Sequence, residues 1–471
     1  MTTKSTDLSR TDTRGVRWLS RSRFILLIAF AFSVMGDPVS SVAYAIEAAL
    51  RALGGNLALL IPTMAVVMGI IALVDINYHQ LIGRFPRGGG SAAASAGAFG
   101  DGWAFLPLGS LIVDYALTIA ISTSAGASAI IAYVPGLAPD RLVLALALTV
   151  LVAAVTWFGH GGRALFAVMT LLFVVIAALV LVHGFGSPVS VASSSAESSY
   201  HVGGLVPEVS ILLAFPVGMA LATGTEAPSS AIAQLGQLDD AGRMSFGRIT
   251  IWLTLGIVGV LTMGLTILAV RLHAGIPPAN STQIAVIATD AVGPGRLFAA
   301  FQMTSALLLL SAANSSFNAG PGLLKALAAS ADHGGMGVLP SWFSKANRHH
   351  TPYWGVLVFL MVSAVLVVAA DGKDQVLVLF YAVAVFLSFL FGLVAMAAFS
   401  WREKRPGATV MNILGALLVT LTLAIDVARV YPIASLAGAG AVGAFLYWRW
   451  VRAGRPSGVS KVEKLAESDS D

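Results

Sequence analysis

Two short polar stretches interrupt hydrophobic segments of this sequence, and each contains an acid close to a proline. The first, at 36–44, contains Asp37 followed directly by Pro38, and the second, at 222–230, contains Glu226. Lipid offers no hydrogen-bond partner to a broken backbone, so such interruptions are tolerated only where they are buried in protein or line a polar cavity. Paired interruptions in corresponding segments are typical of the substrate site of a secondary transporter.

In the first interruption, Asp37 and Pro38 have the residue types of the N-cap and first residue of a half-helix that runs outward from Val39. The hydroxyl-bearing residues within its next two turns are Ser40, Ser41 and Tyr44. Asp37 either caps a kinked helix or offers oxygen to a cation or a proton relay. Because an ionised carboxylate inside a membrane costs several kcal/mol unless it is paired, hydrated or protonated, the functional interpretation is favoured.

The second interruption combines Glu226 with hydroxyls from Thr223, Thr225, Ser229 and Ser230. Hydroxyls and freed backbone carbonyls suit a dehydrated alkali cation, which prefers several oxygen dipoles to nitrogen or sulfur ligands. Glu226 itself has two interpretations that stay open. It is either a gate or proton carrier, or a structural brace for backbone amides exposed by the break.

A third polar set lies in the third hydrophobic segment. Asp114 is followed by Tyr115, and the spacing of four places Asp114, Thr118 and Ser122 on one helix face. Hydroxyls of membrane helices commonly bond their own backbone, so the aspartate beside them is what favours function. Tyr381, in the tenth segment, is a further candidate for the same cavity.

Other polar residues in the hydrophobic segments are expected to have ordinary roles. We expect Asp75 and Asp426 to lie at helix ends as solvated or capping acids. Glu47, near the outer end of the first span, could guard an entrance, but a solvated acid at the end of a helix is favoured. The polar cluster at 314–318 is expected to form hydrogen bonds between helices rather than to line a cavity.

Composition excludes most other classes of protein. Hydrophobic residues make up 57% of the chain and charged residues 11%, with a mean hydropathy of +0.84, whereas soluble domains carry about 25% charged residues. The absence of cysteine excludes disulfides and thiol chemistry. No zinc or nucleotide-binding motif occurs, so we expect no enzyme activity, no cofactor, no nucleic-acid partner and an ion gradient as the driving force. The polar start of the chain predicts a retained first helix rather than a cleaved signal.

Segments of about 20 apolar residues predict an all-α polytopic membrane protein with twelve spans. Their predicted bounds are 24–50, 57–76, 103–132, 141–158, 164–184, 205–234, 248–272, 294–326, 354–370, 375–400, 409–427 and 431–449. We divide the chain into a cytoplasmic tail at 1–23, a transport core of helices 1–10 at 24–400, helices 11–12 at 401–450 and a short cytoplasmic tail at 451–471.

The distribution of positive charge predicts the orientation. With the N-terminus inside, only six of the 28 Lys and Arg residues fall outside, namely Arg51, Arg141, Arg271, Arg296, Lys373 and Arg429. The positive-inside rule therefore favours cytoplasmic N- and C-termini. The breaks fall in spans one and six, which predicts two five-helix halves of opposite orientation plus two additional helices.

Several of these motifs resemble the amino acid–polyamine–organocation (APC) superfamily, and most closely its branch of KimA-type bacterial potassium/proton symporters. The matching segments are 37–44, 77–90, 110–115, 223–227, 311–314 and 380–383, and the likeness covers roughly residues 30–400. The resemblance implies the inverted five-plus-five repeat of the LeuT fold, a bacterial cytoplasmic (inner) membrane location in the lipid bilayer and, usually, a homodimer.

The resemblance also implies a set of site residues. In that family, substrate is bound at positions matching Asp37, Tyr44, Asp114, Tyr115, Thr118, Ser122, Thr223, Glu226 and Tyr381. We expect potassium itself at Asp37, Thr118, Ser122, Thr223 and Tyr381. Proton coupling is assigned to Glu226 and Asp37.

Two departures from the family pattern affect this expectation. Members of the branch typically carry a large cytoplasmic domain after the last helix, whereas this sequence stops at Asp471. The resemblance therefore does not extend to regulation and dimer geometry through that domain. The family also prefers an aromatic residue after the triple glycine, where this chain has Ser91 and Ala92.

The main alternative is a proton-coupled amino-acid or amine permease of the same superfamily. Such permeases usually have an acid-free first break, and Asp37 would repel a substrate carboxylate 4 Å away by about 4 kcal/mol at an effective dielectric of 20. A protonated Asp37, or an amine whose ammonium pairs with it, keeps this alternative open. A channel or a receptor is disfavoured because neither a continuous polar pore nor a signalling module is recognisable. The sequence therefore predicts proton-coupled potassium uptake by alternating access.

Overall fold

The computed structural model describes residues 23–159, 163–186, 206–328, 337–428 and 430–459, without the side chains of 163, 164, 382, 383, 430 and 431. The predicted tail at 1–23, apart from its last residue, and most of the tail at 451–471 lie outside the described residues. Every regular element of the described residues is a helix.

Eight of the described α-helices precede the second predicted break. They are α1 (Arg23–Val34), α2 (Gly36–Ala52), α3 (Leu60–Arg84), α4 (Gly90–Phe99), α5 (Phe105–Tyr133), α6 (Arg141–Trp157), α7 (Arg163–Gly186) and α8 (Pro207–Gly218). The helices that follow are α9 (Ala227–Ala231), α10 (Asp240–Arg271), α11 (Gln283–Val292), α12 (Arg296–Ala328), α13 (Tyr353–Ala369), α14 (Asp374–Arg402), α15 (Pro406–Val427) and α16 (Val430–Arg452).

Ten segments of the described chain are long and apolar enough to cross a membrane. They correspond to predicted spans one to eight, ten and eleven. The ninth predicted span is the apolar helix α13, which has only 17 residues, and the twelfth corresponds to α16. The all-helical, polytopic architecture is therefore observed, while the number of twelve crossings and the inverted repeat stay predictions.

The packed helices present two opposite faces. On one, which we call the inner face, Arg84 at the end of α3 pairs with Glu403 after α14. On the other, the outer face, Arg51 at the end of α2 donates a hydrogen bond to the carbonyl of Pro277 at 3.4 Å. Our sequence prediction places the inner face in the cytoplasm.

The first break is narrower than predicted. Helix α1 ends at Val34, Met35 keeps a nearly helical conformation with φ −74° and ψ −5°, and α2 begins at Gly36. The prediction that Asp37 is the N-cap and Pro38 the first helical residue is therefore wrong. Pro38 has no N–H to donate to the carbonyl of Val34, but a proline in the first turn of a helix needs no such bond, so α2 begins before it.

The second break is a true interruption of the helix, as predicted. Helix α8 ends at Gly218 and is followed by one 3₁₀ turn, after which Thr223 is extended with φ −53° and ψ 131°. Gly224 then adopts a left-handed φ of 72°, and α9 begins at Ala227. The backbone between these helices is consequently free of the α-helical hydrogen-bond ladder.

Helix α5 is the most buried of the ten candidate spans and packs against α12, α14 and α16. Helix α2 packs against α8 and the 3₁₀ turn that follows it, and α10 packs along α3. These contacts bring the polar face of α5 and the two breaks into the centre of the molecule.

Candidate functional site

The two breaks lie directly against each other. A Cβ atom on Gly224 would stand 2.8 Å from both Cγ and Oδ2 of Asp37 and 2.8 Å from Cδ of Pro38. Only glycine permits this approach together with the left-handed φ. The contact is extended by the Ser41 hydroxyl, which donates to the carbonyl of Leu221 at 3.0 Å.

Hydroxyl groups continue this contact outward from the acid. Tyr44, which is buried in α2, donates from its hydroxyl to Oγ1 of Thr223 at 3.3 Å. Thr223 in turn donates to the carbonyl of Ala220 at 2.7 Å. The Thr223 oxygen is thereby oriented by two hydrogen bonds, with its second lone pair left for a ligand.

The polar face of α5 is buried and lacks internal hydrogen bonds. Asp114 Oδ1, Thr118 Oγ1 and Ser122 Oγ are all enclosed without a partner. By contrast, Thr123 on the same helix donates to the carbonyl of Ile119 at 2.9 Å, as threonines in membrane helices usually do. Because buried polar atoms are rarely left unpaired, the three oxygens on this face are candidates to hold a ligand.

Tyr381 on α14 closes the same group of oxygens. It is fully buried, and its hydroxyl lies beside the Asp114 carboxylate without meeting the geometry of a hydrogen bond. Tyr381 also interacts electrostatically with Tyr44 and Asp37, as Asp37 does with Asp114. Side chains from α2, α5 and α14 therefore meet at the breaks, as the sequence predicted.

The acids of this site have no basic neighbour. Within the described residues, no Lys, Arg or His forms an ion pair with Asp37, Asp114 or Glu226, and the first two repel each other. Facing carboxylates in a membrane interior require a bound cation or bound protons. The site is thus arranged to take positive charge.

Glu226 is held by side-chain hydroxyls rather than by backbone. Its Oε2 accepts hydrogen bonds from Tyr78 at 3.4 Å and from Ser388 at 3.3 Å. No backbone amide of the described residues bonds its carboxyl group, so the brace interpretation finds no support. Tyr78 and Ser388 were not identified from the sequence, since each is more than a hundred residues from Glu226 along the chain.

A cavity of about 160 Å³ reaches the acids from the inner face. Asp37, Asp114, Tyr115, Gly224 and Glu226 line its deep end. Its wall nearer the inner face includes Ser33, Gln234, Ser316 and Asn318. The remaining predicted site residues do not line this cavity and are buried beside it: Tyr44, Thr118, Ser122, Thr223 and Tyr381.

The cluster at 314–318 has both roles that the sequence suggested. Asn314 accepts a hydrogen bond from the Thr156 hydroxyl at 2.6 Å, which joins α6 to α12 and confirms the expected bond between helices. Ser315, Ser316 and Asn318 nevertheless line the cavity, which the sequence analysis had not favoured.

On the outer side the site is closed by a network that includes Glu47. This acid is only 3% exposed, accepts from Arg51 Nε at 2.8 Å, and accepts from the backbone N–H of Gln283 at 2.9 Å. The expectation of a solvated acid is therefore wrong. The short helix α11, which the sequence did not predict, folds over the outer end of α2 and buries Glu47.

A second set of contacts completes the outer closure. Ser128 at the end of α5 donates to Asp374 Oδ1 at 2.6 Å and accepts from Arg141 at 2.6 Å. Gln375 donates to the carbonyl of Tyr44 at 3.3 Å. Helices α2, α5, α6 and α14 are therefore joined on the outer side of the site. Among the described residues, the lining of the cavity extends from the acids toward the inner face.

The expectation for Asp75 is wrong, and that for Asp426 is correct only in its position. Asp75 is 4% exposed and lies inside α3 rather than at its end. Asp426 does lie in the last turn of α15, but at 2% exposure it is not a solvated group. Burial by a neighbouring helix leaves no signal in a single sequence.

Comparison with known proteins identifies the family of this chain. A profile of the amino acid permease family matches residues 24–449. The chain belongs to the amino acid permease family. The potassium transporter KimA of Bacillus subtilis (strain 168) is 28% identical over 406 residues, which cover 83% of this chain and 64% of KimA. The chain thus spans less than two thirds of that relative's length.

Solved structures support the fold of this permease. A variant of the Eremococcus coleocola manganese transporter superposes with a TM-score of 0.52 at 14% identity, covering 92% of this chain and 96% of the transporter. The same transporter in complex with an aromatic bis-isothiourea substituted compound gives a TM-score of 0.51 at 13% identity, with the same coverage. Such likeness establishes a membrane-transporter fold and leaves the substrate to be argued from the site.

Proposed function

We propose that this permease is a secondary active transporter that takes up potassium with protons by alternating access. We place it in a bacterial cytoplasmic membrane with both termini in the cytoplasm, as a homodimer. The observation that carries the proposal is the pairing of two buried acids, Asp37 and Asp114, with buried oxygens that lack any protein partner.

The chemistry of these oxygens favours a hard cation. Asp37 and Asp114 supply negative charge, while the hydroxyls of Thr118, Ser122 and Tyr381 supply neutral dipoles. A monovalent ion stripped of water needs several such oxygens, which a soft metal does not prefer. No cluster of three or more His, Cys, Asp or Glu occurs in the described residues, as a transition-metal site would typically require. The relative named for potassium transport agrees with this assignment.

The position of Glu226 suits a proton-coupling role. It lines the inner cavity and faces the ion site, while Tyr78 and Ser388 orient its carboxyl group. Protonation would remove the negative charge of Glu226 from beside Asp37 and Asp114. The attraction of the site for the ion would then weaken. We assign proton coupling to Glu226, with Asp37 as the acid shared between ion and proton.

The difference between the two faces supports alternating access as the mechanism. The inner face opens into the cavity, whereas Glu47, Ser128 and Asp374 take part in hydrogen bonds that close the outer side. An outward-facing state must break these contacts and close the cavity beside Asn318. The two breaks, which touch at Gly224 and Asp37, are where the half-helices would move relative to each other.

A second candidate is uptake of a small amine or amino acid. It is favoured by the family membership and by the cavity, whose volume of about 160 Å³ exceeds that of a bare ion. In this case the ammonium group would pair with Asp37 and Asp114. The same two acids disfavour a substrate carboxylate at the deep end of the cavity.

Uptake into proteoliposomes decides between these candidates. Purified protein is reconstituted with an inward proton gradient, and labelled rubidium is compared with labelled amino acids, amines and a divalent manganese tracer. We expect saturable rubidium entry that potassium competes and a protonophore abolishes. Entry of an amine or amino acid without rubidium entry would replace potassium as the substrate, and manganese entry would assign the acids to a divalent ion.

A further inference from the structure

Asp75 is a buried acid that the proposed function does not use. It lies within α3, two thirds of the way along the helix, and is 4% exposed. Within the part of the chain that the structure describes, no hydrogen bond or ion pair reaches its carboxyl group. An ionisable residue buried in a membrane span without a partner is a candidate functional group.

The Asp75 side chain lines a small cavity that both breaks share. Its volume is about 10 Å³, which is close to the minimum that holds one water molecule. Pro38 belongs to the first break, Thr225 and Pro228 belong to the second, and Thr254 comes from α10. The hydroxyl of Thr254 is buried and has no hydrogen-bond partner. The cavity therefore holds two polar groups that are unsatisfied by the protein.

The lining of this cavity suits a proton better than a metal ion. Side-chain oxygens come only from Asp75, Thr225 and Thr254, and the rest of the wall consists of proline and aliphatic side chains. A hard cation such as Ca²⁺ takes about 6–8 oxygen ligands. A protonated carboxyl group needs only one acceptor, which the Thr254 oxygen or a single water supplies.

We propose that Asp75 is a proton-binding site, separate from the ion site, whose proton is released only when the two breaks move apart. In the observed arrangement the cavity has room for about one water molecule and no basic side chain lines it, so the ionised form of the carboxyl group is strongly disfavoured. Movement of Pro38 away from Thr225 would open the cavity and admit water. The proton then passes from a carboxyl oxygen of Asp75 to water, and no other bond changes.

Besides Asp75, no charged or titratable residue lines this cavity. The elements that form it also carry Asp37 in the first break, Glu226 in the second, Tyr78 and His79 on α3, and Arg248 on α10. Arg248 donates to the carbonyl of His79 at 3.4 Å, about one turn nearer the inner face than Asp75. Helices α8, α14 and α15 face α3 with Gly218, Phe389 and Asn412, which do not titrate.

The first test detects the proton on the carboxyl group itself and does not depend on transport. The inference rests on the proposed function only for its effect on transport. Infrared pH titration of the reconstituted protein monitors the carbonyl stretch of protonated carboxyl groups. Asp75→Asn is compared with Asp426→Asn, which removes another buried membrane acid outside the breaks. We expect Asp75→Asn to lose a titrating band that the wild type and Glu226→Gln retain. An unchanged set of bands in Asp75→Asn would overturn the proposal.

Transport supplies the second readout. The inward proton gradient should accelerate rubidium uptake less in Asp75→Asn than in the wild type, because Glu226 and Asp37 remain, while rubidium exchange at equal pH persists. The Asp426→Asn control should keep the acceleration by the gradient. Acceleration of Asp75→Asn equal to that of the wild type would contradict the proposal. Absence of rubidium uptake in the wild type would instead refute the proposed substrate and leave the infrared test in force.

Thr254→Val keeps the test decisive if Asp75→Asn does not purify as a folded protein. This variant retains the acid and removes only the hydroxyl that faces it across the cavity. The midpoint of the carboxyl band should shift in Thr254→Val. A midpoint identical to that of the wild type would contradict the assignment of the band to this cavity.

Discussion

The contact between the two breaks can be tested by giving Gly224 a side chain. Gly224→Ala places a Cβ atom 2.8 Å from the Asp37 carboxylate and from Pro38, closer than such atoms approach in folded proteins. The same residue has a left-handed φ of 72°, which alanine adopts only with strain. The substitution therefore disturbs the backbone and the acid of the ion site together.

The two effects have different magnitudes and can be separated. A left-handed alanine costs about 1–2 kcal/mol, and an extra methyl group in a close-packed site typically costs about 1–3 kcal/mol. Gly293 also has a φ of 72°, with a ψ of 171°, and a Cβ there would meet nothing within 4 Å. Gly293→Ala therefore serves as a control with positive-φ strain and no steric contact, and we expect the steric term at Gly224 to lower the apparent rubidium affinity roughly 5–150-fold.

The assay measures rubidium uptake in proteoliposomes over a range of rubidium concentrations, with thermal stability in detergent recorded for both variants. Both should lose some stability, but only Gly224→Ala should also lose rubidium affinity. Equal affinities in the two variants would show that the contact between Gly224 and Asp37 does not support the ion site, and would refute the reasoning.

Three other substitutions test single side chains. Asp37→Asn should abolish rubidium uptake without preventing membrane insertion, because half of the facing negative charge is lost; normal uptake kinetics would remove Asp37 from the mechanism. Glu226→Gln should make uptake independent of external pH, whereas unchanged pH dependence would assign Glu226 to structure. Thr118→Val should raise the apparent Km several-fold, since a neutral hydrogen-bonding group contributes about 0.5–1.5 kcal/mol. Thr123→Val is its control, because the Thr123 hydroxyl already bonds the backbone at 2.9 Å, and equal effects of the two would contradict the assignment.

The sequence was sufficient for the positions of the breaks and for the residues around them. Acids, prolines and hydroxyls inside apolar segments can survive only where protein or water satisfies them, so Asp37, Asp114 and Glu226 stood out. The structure brings these acids to one cavity. The extent of the first break was wrong because Pro38 is compatible with the first turn of a helix, which allows α2 to begin at Gly36.

What could not be predicted depends on contacts between distant parts of the chain. Glu47 and Asp75 look like ordinary acids near helix ends, and their burial follows only from the packing of α11 over α2 and of α10 along α3. The hydroxyls that hold Glu226 come from Tyr78 and Ser388, at sequence separations of 148 and 162 residues. Helix α11 has ten residues, too few for its periodicity to distinguish it from an outer loop.

The central claim is that a monovalent cation binds between Asp37 and Asp114. Anomalous diffraction from crystals soaked in rubidium tests it most directly, with Asp114→Asn crystals as the comparison. The account predicts one strong rubidium peak in contact with both carboxylates and with the Thr118 and Tyr381 hydroxyls, and its loss in the variant. A peak elsewhere in the protein, or one that survives in Asp114→Asn, would contradict the account.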